Sequence, residues 1–244
     1  MRPILLITGA SAGIGAACAR LAAATYDLAL NYRSDTAGAK AVAAQAEAQG
    51  ARTLLCQGDV ADPADVARIF DQIDNHYGRL DALINNAGIV DKIGTVAQMD
   101  HARLKRMFDV NVIGAMMVAQ AAAKRMQAQG HGAIVNMGSI AARLGSANEF
   151  VDYAASKAAI DAFTKGLANE LAPEGIRVNA IRPGLIETEI HAKAGAPDRA
   201  QTLAKNIPMQ RTGTAVEVAS ATLFLLSDAA SYITGTTLDV SGGR

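Results

Sequence analysis

The apolar run Ile4-Leu5-Leu6-Ile7 stops at Thr8 and gives way to Gly9-Ala10-Ser11-Ala12-Gly13-Ile14-Gly15, followed by an alanine-rich stretch. No other feature constrains the chain as strongly. Apolar residues without alternation describe a strand covered on both faces, as in a parallel sheet between helical layers. Gly9, Gly13 and Gly15 permit a tight turn and close approach of backbone to a pyrophosphate. The amides and dipole at the following helix start, next to Ser11 and Ile14, favour such an anion. The spacing is Gly-x-x-x-Gly-x-Gly and departs from the commoner Gly-x-Gly-x-x-Gly, so a plain strand-to-helix turn is the alternative. Ala16, Ala17, Ala19, Ala22, Ala23 and Ala24 keep the helix slim enough to lie close on a sheet.

The same alternation continues to the end. Strands are expected at 3–8, 27–32, 52–57, 81–85, 132–138, 176–181 and 236–240. Helices are expected at 13–24, 36–49, 63–77, 100–129, 153–171 and 215–227, with another near 197–206. Seven strands separated by helices predict an α/β chain with a doubly wound parallel sheet, helices on both faces and right-handed crossovers. Ligands of such sheets bind beyond the carboxyl ends of the strands. No linker, repeat or charge block divides the 244 residues, so 1–244 reads as a single domain.

Charge and cysteine usage exclude several classes. Lys plus Arg and Asp plus Glu both number 23, which gives no electrostatic case for nucleic acid or an anionic membrane. Cys18 and Cys56 lack metal-type spacing and read as buried reduced thiols; no metal is expected. The N-terminal apolar run is too short for a signal peptide, and no stretch is long enough to span a bilayer. A cytoplasmic protein is expected.

Tyr153 and Lys157 stand one helical turn apart and project to one side. A tyrosine has a pKa of about 10, and a neighbouring ammonium is expected to lower it toward the working range. A packed tyrosine beside a solvated lysine is the alternative. Asp59 follows the third strand, while Asp62 precedes Pro63, which suits the first helical position. Asp62 is therefore the better cap, leaving Asp59 available. Asn111 falls within 100–129, and asparagine is a poor helix former.

Thr8–Gly15, Asn85-Asn86-Ala87-Gly88, Ser139, Tyr153-x-x-x-Lys157 and Pro183-Gly184-x-x-x-Thr188 together resemble the short-chain dehydrogenase/reductase family, in its subtype of roughly 250 residues. The resemblance covers essentially the whole chain and implies a Rossmann fold with hydride transfer to or from a nicotinamide. It implies that Asn86, Ala87 and Gly88 close over the adenine ribose, that the Asp59 carboxylate accepts from the adenine amino group, and that Val60 packs on the ring. Ser139 would bond the substrate oxygen, Tyr153 exchange its proton, and Lys157 tune the tyrosine and hold the nicotinamide ribose. Asn111 would kink its helix and hold a relay water, although an asparagine bonded within its own helix is the alternative. Pro183, Gly184, the Ile186 backbone and the Thr188 hydroxyl would bind the carboxamide.

Strand two ends in Asn31-Tyr32-Arg33-Ser34. NAD-type sites carry a carboxylate there, whereas a basic residue accommodates the 2′-phosphate of NADP. Arg33 and Ser34, beside Tyr32, thus favour NADP(H), with NAD(H) possible; Ala12 and Asp35 weigh the other way. The substrate loop is expected at about 189–208, containing His191, Lys193, Arg199 and Lys205, which read as solvated lid residues. Arg143, Glu149 and Phe150 are expected to line the pocket.

Relatives that reduce 3-oxoacyl chains on acyl carrier protein tend to carry basic docking residues. Here Asn169 and the uncharged Gln127-Ala128-Gln129-Gly130 depart from that pattern and lean the reading toward glucose-dehydrogenase-like and broad carbonyl-reducing members. A small-molecule carbonyl or alcohol is therefore the expected substrate. Surplus apolar surface on 100–129 and 153–171, with the apolar tail, resembles the surfaces that build a homotetramer, or a homodimer, in this family. A non-catalytic NADP-binding sensor and a methyltransferase are the alternatives from other classes. Neither accounts for Ser139, Tyr153, Lys157 and Asn111 together.

Overall fold

A computed structural model describes residues 2–188 and 202–244. Its centre is a seven-stranded, all-parallel sheet: β1 (Ile4–Ile7), β2 (Asp27–Tyr32), β3 (Thr53–Gln57), β4 (Ala82–Asn85), β5 (Gly132–Met137), β6 (Ile176–Pro183) and β7 (Thr237–Val240). Their order is β3-β2-β1-β4-β5-β6-β7. The order reverses between β1 and β4, so a crevice opens at their carboxyl ends.

The expectation of a doubly wound α/β fold is met. Alternate residues of β1 enter opposite cores: Leu5 and Ile7 pack with α1 (Gly13–Ala22), α2 (Thr36–Glu47) and a late helix, α8 (Ala215–Leu226). Ile4 and Leu6 pack with α3 (Pro63–Tyr77), α5 (Ala115–Gln129) and α7 (Val151–Leu171), which cover the other face. Both faces being buried explains why the strands read as unbroken apolar runs. Asp62 caps α3 by accepting from the Ala64 amide at 2.8 Å, ahead of Pro63.

The expected helix at 100–129 is interrupted around Asn111, where the resemblance implied a kink. The chain is α-helical over α4 (His101–Phe108), widens into a π-helical turn at Asp109–Gly114, and resumes as α5. Two close contacts account for the widening. A Cβ on Gly114 would lie 2.8 Å from the Val60 carbonyl, and Asn111 turns its side chain to the backbone of Ile89. Such bulges commonly mark functional positions.

Smaller differences also bear on the site. Helix α7 begins at Val151, so Tyr153 sits in its first turn. Strand β5 stops at Met137, two residues before Ser139, while β6 extends through Pro183. A short helix not expected from the sequence, α6 (Ala141–Leu144), follows Ser139. Most of the expected helix at 197–206 lies outside the described residues; Ala204–Asn206 forms a single 3₁₀ turn.

At the opposite end of the sheet, Asp81 locks two strands together. Its carboxylate accepts from the Ile4 amide at 2.7 Å, from Arg79 Nε at 2.9 and 3.1 Å, and lies 3.1 Å from His131. Burial pushes this carboxyl up, but Arg79 and the Ile4 amide outweigh burial and hold it below the ordinary value. A depressed folded pKa means the stabilisation is present above about pH 4 and is lost as pH falls through the folded value. Replacing Asp81 by Ala is expected to cost about 2 kcal/mol at pH 7, read from denaturant midpoints, and much less at pH 3. An equal cost at both pH values would contradict the assigned ion pair.

Candidate active site

The glycine turn is pinned to its neighbouring strands by its own backbone and by Thr8. The Thr8 hydroxyl accepts from the Asn86 and Ala87 amides, both at 2.9 Å, and Asn86 Nδ2 donates to the Thr8 and Gly9 carbonyls at 2.8 and 3.1 Å. The Ala10 amide donates to Asn31 at 2.8 Å. Gly9 and Gly13 have left-handed φ values of 64° and 55°, a conformation that suits glycine. Helix α1 starts at Ala12 without a side-chain cap, and Ala12, Gly13 and Ile14 line a cavity. Uncapped first-turn amides beside a cavity are suited to a phosphate.

That cavity, about 860 Å³, runs along the carboxyl edge of the sheet. Gly9, Ser11, Tyr32, Arg33, Ser34, Asp59 and Val60 mark one end; Ser139, Tyr153 and Lys157 mark the other, with Asn86, Ala87 and Gly88 between. Sequence positions as far apart as Gly9 and Thr188 are thus gathered in one crevice. Gly15 and Asn111 are absent from the lining and act from behind it.

At the first end, Asn31 offers no carboxylate and is engaged elsewhere, donating to the Cys56 and Gly58 carbonyls at 3.1 and 3.0 Å. Arg33 is largely exposed and lies 3.8 Å from Asp59. Asp59 also accepts from the Ala61 amide at 2.9 Å. Asp35 caps α2 through the Gly38 amide at 2.9 Å, which gives its charge a local partner. These residues fit the adenosine end of a dinucleotide, with the exposed Arg33 and Ser34 bordering it.

At the second end, Ser139 stands close enough to Tyr153 to stabilise its phenolate form. The Ser139 oxygen also accepts from the Ala141 amide at 3.1 Å. Lys157 is buried, donates to the Met137 carbonyl at 2.8 Å, and lies over the Tyr153 ring, 5.7 Å from its centre. A Cβ on Gly88 would meet Asn111 Oδ1 at 3.2 Å and Lys157 Nζ at 3.3 Å, so only glycine leaves both groups in place. Asn111 accepts from the Ile89 amide at 2.8 Å and donates to Ser156 at 3.1 Å, and Ser156 donates to the Tyr153 carbonyl at 2.7 Å. Asn111 therefore ties the turn after β4 to the first turn of α7.

The electrostatics differ from the sequence expectation. Burial pushes the Tyr153 phenol above its ordinary value, and the Ser139 hydrogen bond only partly offsets that. Burial also pulls the Lys157 ammonium down to about 8, against the attraction of Asp161. The lowering of the tyrosine expected from its lysine is not found, because burial of the phenol dominates, while the ammonium is drawn to Met137. Arg143 is a second correction. It does not line the cavity but pairs with Asp239 at 2.5 Å, whereas Glu149 and Phe150 do line it.

The segment 183–188 closes the crevice. Gly184 packs so tightly that a Cβ would lie 2.7 Å from Ser241 Cα. Ile186 bridges to Gly213, and Thr188 reaches back to within 3.6 Å of where a Gly13 Cβ would stand. Of the expected substrate loop, residues 189–201 with His191, Lys193 and Arg199 lie outside the described residues. Sequence reading missed Arg244, which lines the cavity; a C-terminal arginine carries no local signal of that placement.

Comparison with known proteins finds relatives along nearly the whole chain. A family model described as enoyl-(acyl carrier protein) reductase matches residues 9–244. The chain is 46% identical to the uncharacterized oxidoreductase YgfF of Escherichia coli K12, over 99% of both proteins. It is 36% identical to the 3-oxoacyl-[acyl-carrier-protein] reductase FabG of the same organism, covering 98% of this chain and 96% of that protein. Among solved structures, a short-chain type dehydrogenase/reductase from Mycobacterium marinum is similar at a TM-score of 0.93 and 34% identity, over 98% of this chain and 94% of that one. A Burkholderia cenocepacia short chain dehydrogenase in complex with NADP gives 0.91 and 35%, over 99% and 97%. A Brucella melitensis 3-ketoacyl-(acyl-carrier-protein) reductase complexed with NADH gives 0.91 and 32%, over 99% and 98%.

The turn is testable at Gly15, where a Cβ would stand 2.3 Å from the Gly9 carbonyl oxygen and 2.7 Å from Asn86 Nδ2. Gly15→Ala is expected to destabilise the fold by about 2 kcal/mol and to weaken dinucleotide binding, measured by thermal unfolding with and without cofactor. Unchanged stability and affinity would contradict the packing described.

Proposed function

The chain belongs to the short-chain dehydrogenase/reductase family and is an oxidoreductase, and from that premise we propose that it uses NADP(H) to reduce a small-molecule carbonyl or to oxidise the matching alcohol. The observation that carries the reading is the cluster of Ser139, Tyr153 and Lys157 on one cavity wall, with the ammonium over the tyrosine ring, at the far end of the crevice from the glycine turn.

NADPH supplies the hydride when bound. Gly9, Ser11, Gly13 and Ile14 would hold its pyrophosphate, with Gly15 shaping the turn from behind. Tyr32, Arg33 and Ser34 would hold the 2′-phosphate side, and Asp59 and Val60 the adenine. Asn86, Ala87 and Gly88 would flank the ribose, and Pro183, Gly184, Ile186 and Thr188 the carboxamide. Tyr153 gives its proton to the substrate oxygen while Ser139 donates a hydrogen bond to the same oxygen. The raised phenol pKa keeps that proton in place at neutral pH, which suits the reductive direction. Lys157 and Tyr153 would hold the nicotinamide ribose, and Asn111 positions the first turn of α7 through Ser156.

The substrate wall includes Ile89, Val90, Ile140, Leu144 and Phe150, which favours a compact apolar carbonyl compound. The likeness to FabG supports a second reading, a 3-oxoacyl thioester on acyl carrier protein; the exposed Asn169 supplies no charge for docking such a carrier. Exposed Leu104, Phe108 and Ile113, with Phe224, Tyr232 and Leu238, support a homotetramer. No helix among the described residues is long and apolar enough to cross a membrane.

The experiment is NADPH and NADH oxidation, side by side, across ketones, aldoses, diketones and 3-oxoacyl thioesters. Turnover on one class is expected. Tyr153→Phe should lose at least about 100-fold in kcat while still binding NADPH, and full activity in that variant would refute the mechanism. Arg33→Ser should raise the KM for NADPH about tenfold or more, from the loss of a charged phosphate contact. The KM for NADH should change little; an equal effect on both would remove Arg33 from 2′-phosphate recognition.

A further inference from the structure

One turn beyond Lys157 on α7, and on the same side of the helix, stands Asp161. Its Oδ2 accepts from Arg182 Nε at 2.9 Å. Its Oδ1 is buried and has no hydrogen-bond partner, and lies 3.3 Å from where a Gly138 Cβ would stand. Gly138 separates Met137, whose carbonyl takes the Lys157 ammonium, from Ser139. The carboxylate therefore sits directly behind the strand end that carries both the lysine's anchor and the tyrosine's partner. A buried carboxylate oxygen with no donor of its own is costly. Arg182 is the main group that offsets that cost and the Lys157 ammonium on the same helix turn adds to it, although burial still pushes the Asp161 carboxyl up.

The opposite side of Asp161 leads to the 183–188 segment. Arg182, which bonds Asp161, also reaches Asp239 at 3.1 Å, and Asp239 takes Arg143 at 2.5 Å. Arg182 immediately precedes Pro183 and Gly184. The charged and titratable groups facing Asp161 are thus Lys157 from α7, Arg182 from β6 and Asp239 from β7; those facing Lys157 are Tyr153 and Asp161.

Resting on the reading that Tyr153 and Lys157 carry the proton chemistry, we propose that Asp161 is a positioning residue: its carboxylate balances the Lys157 ammonium from behind the sheet edge and, through Arg182, couples it to the 183–188 segment. Asp161 touches neither substrate nor reacting atoms, and acts through Lys157. The attraction of Asp161 opposes burial at Lys157, so its removal leaves only the Met137 carbonyl to compensate the ammonium.

The test is the titration of Lys157, followed by NMR in protein labelled with ¹³C at lysine Cε, for the wild type, Asp161→Asn and Asp161→Glu. The wild-type midpoint is expected at about 8. Asp161→Asn should lower it by about one pH unit or more, and Asp161→Glu should restore most of the shift. In the pH profile of kcat/KM for NADPH, the fall at high pH should move down by the same amount in Asp161→Asn. A purely structural role would lower stability or activity at every pH alike without moving the Lys157 midpoint, and that result overturns the proposal. If Asp161→Asn does not fold, Arg182→Gln in its place should raise the Lys157 midpoint, since the carboxylate then has only the lysine to balance; an unchanged midpoint overturns the proposal. The NMR readout needs no substrate. A shifted midpoint therefore supports the role of Asp161 even where no carbonyl is turned over, an outcome that would sink the reductase reading alone.

Discussion

The buried ammonium of Lys157 is the constraint around which the carboxyl edge of this sheet is organised. A lysine so enclosed must find compensation in fixed acceptors and nearby negative charge. Here the Met137 carbonyl supplies the first and Asp161 contributes the second. Each requirement propagates. Met137 must end its strand with the carbonyl turned toward α7, Gly88 must leave room for the ammonium, and Asn111 must leave its helical ladder to hold the turn containing Gly88. The π-helical turn at Asp109–Gly114 follows from these demands as much as from local propensity.

The glycine turn solves a separate packing problem, and the two solutions meet at β4. Gly9 and Gly15 allow Asn86 and Thr8 to tie the β1 turn to the β4 turn. The β4 turn in turn carries Gly88 to Lys157. A dinucleotide spanning the crevice would contact elements already locked to one another, so little ordering cost falls on binding. The same geometry explains why residues far apart in the chain, such as Ser11, Asp59, Tyr153 and Thr188, border one cavity.

How much was legible in the sequence depended on the range of the cause. Strands β1, β4 and β5 were readable because burial on both faces leaves unbroken apolar runs. The α3 start was readable because Asp62 and Pro63 act locally. The interruption at 109–114 was implied only through the family resemblance, as a kink at Asn111, because its causes are Ile89 and Val60, residues brought there by tertiary structure. Helix α6 is one turn long and too short to leave a periodic signal. Arg143 was misplaced for a similar reason: its partner Asp239 is 96 positions away. The grouping of Ser139 with Tyr153 was implied by family resemblance, but the raised tyrosine and lowered lysine follow from burial, which composition and spacing do not reveal.

The most direct measurement is a crystal structure of the chain with NADPH bound. The account predicts the nicotinamide ribose within hydrogen-bond reach of Tyr153 Oη and Lys157 Nζ, the pyrophosphate on the amides at the start of α1, and the 2′-phosphate on Arg33. A cofactor bound outside this crevice, or a ribose out of reach of Lys157, would contradict it.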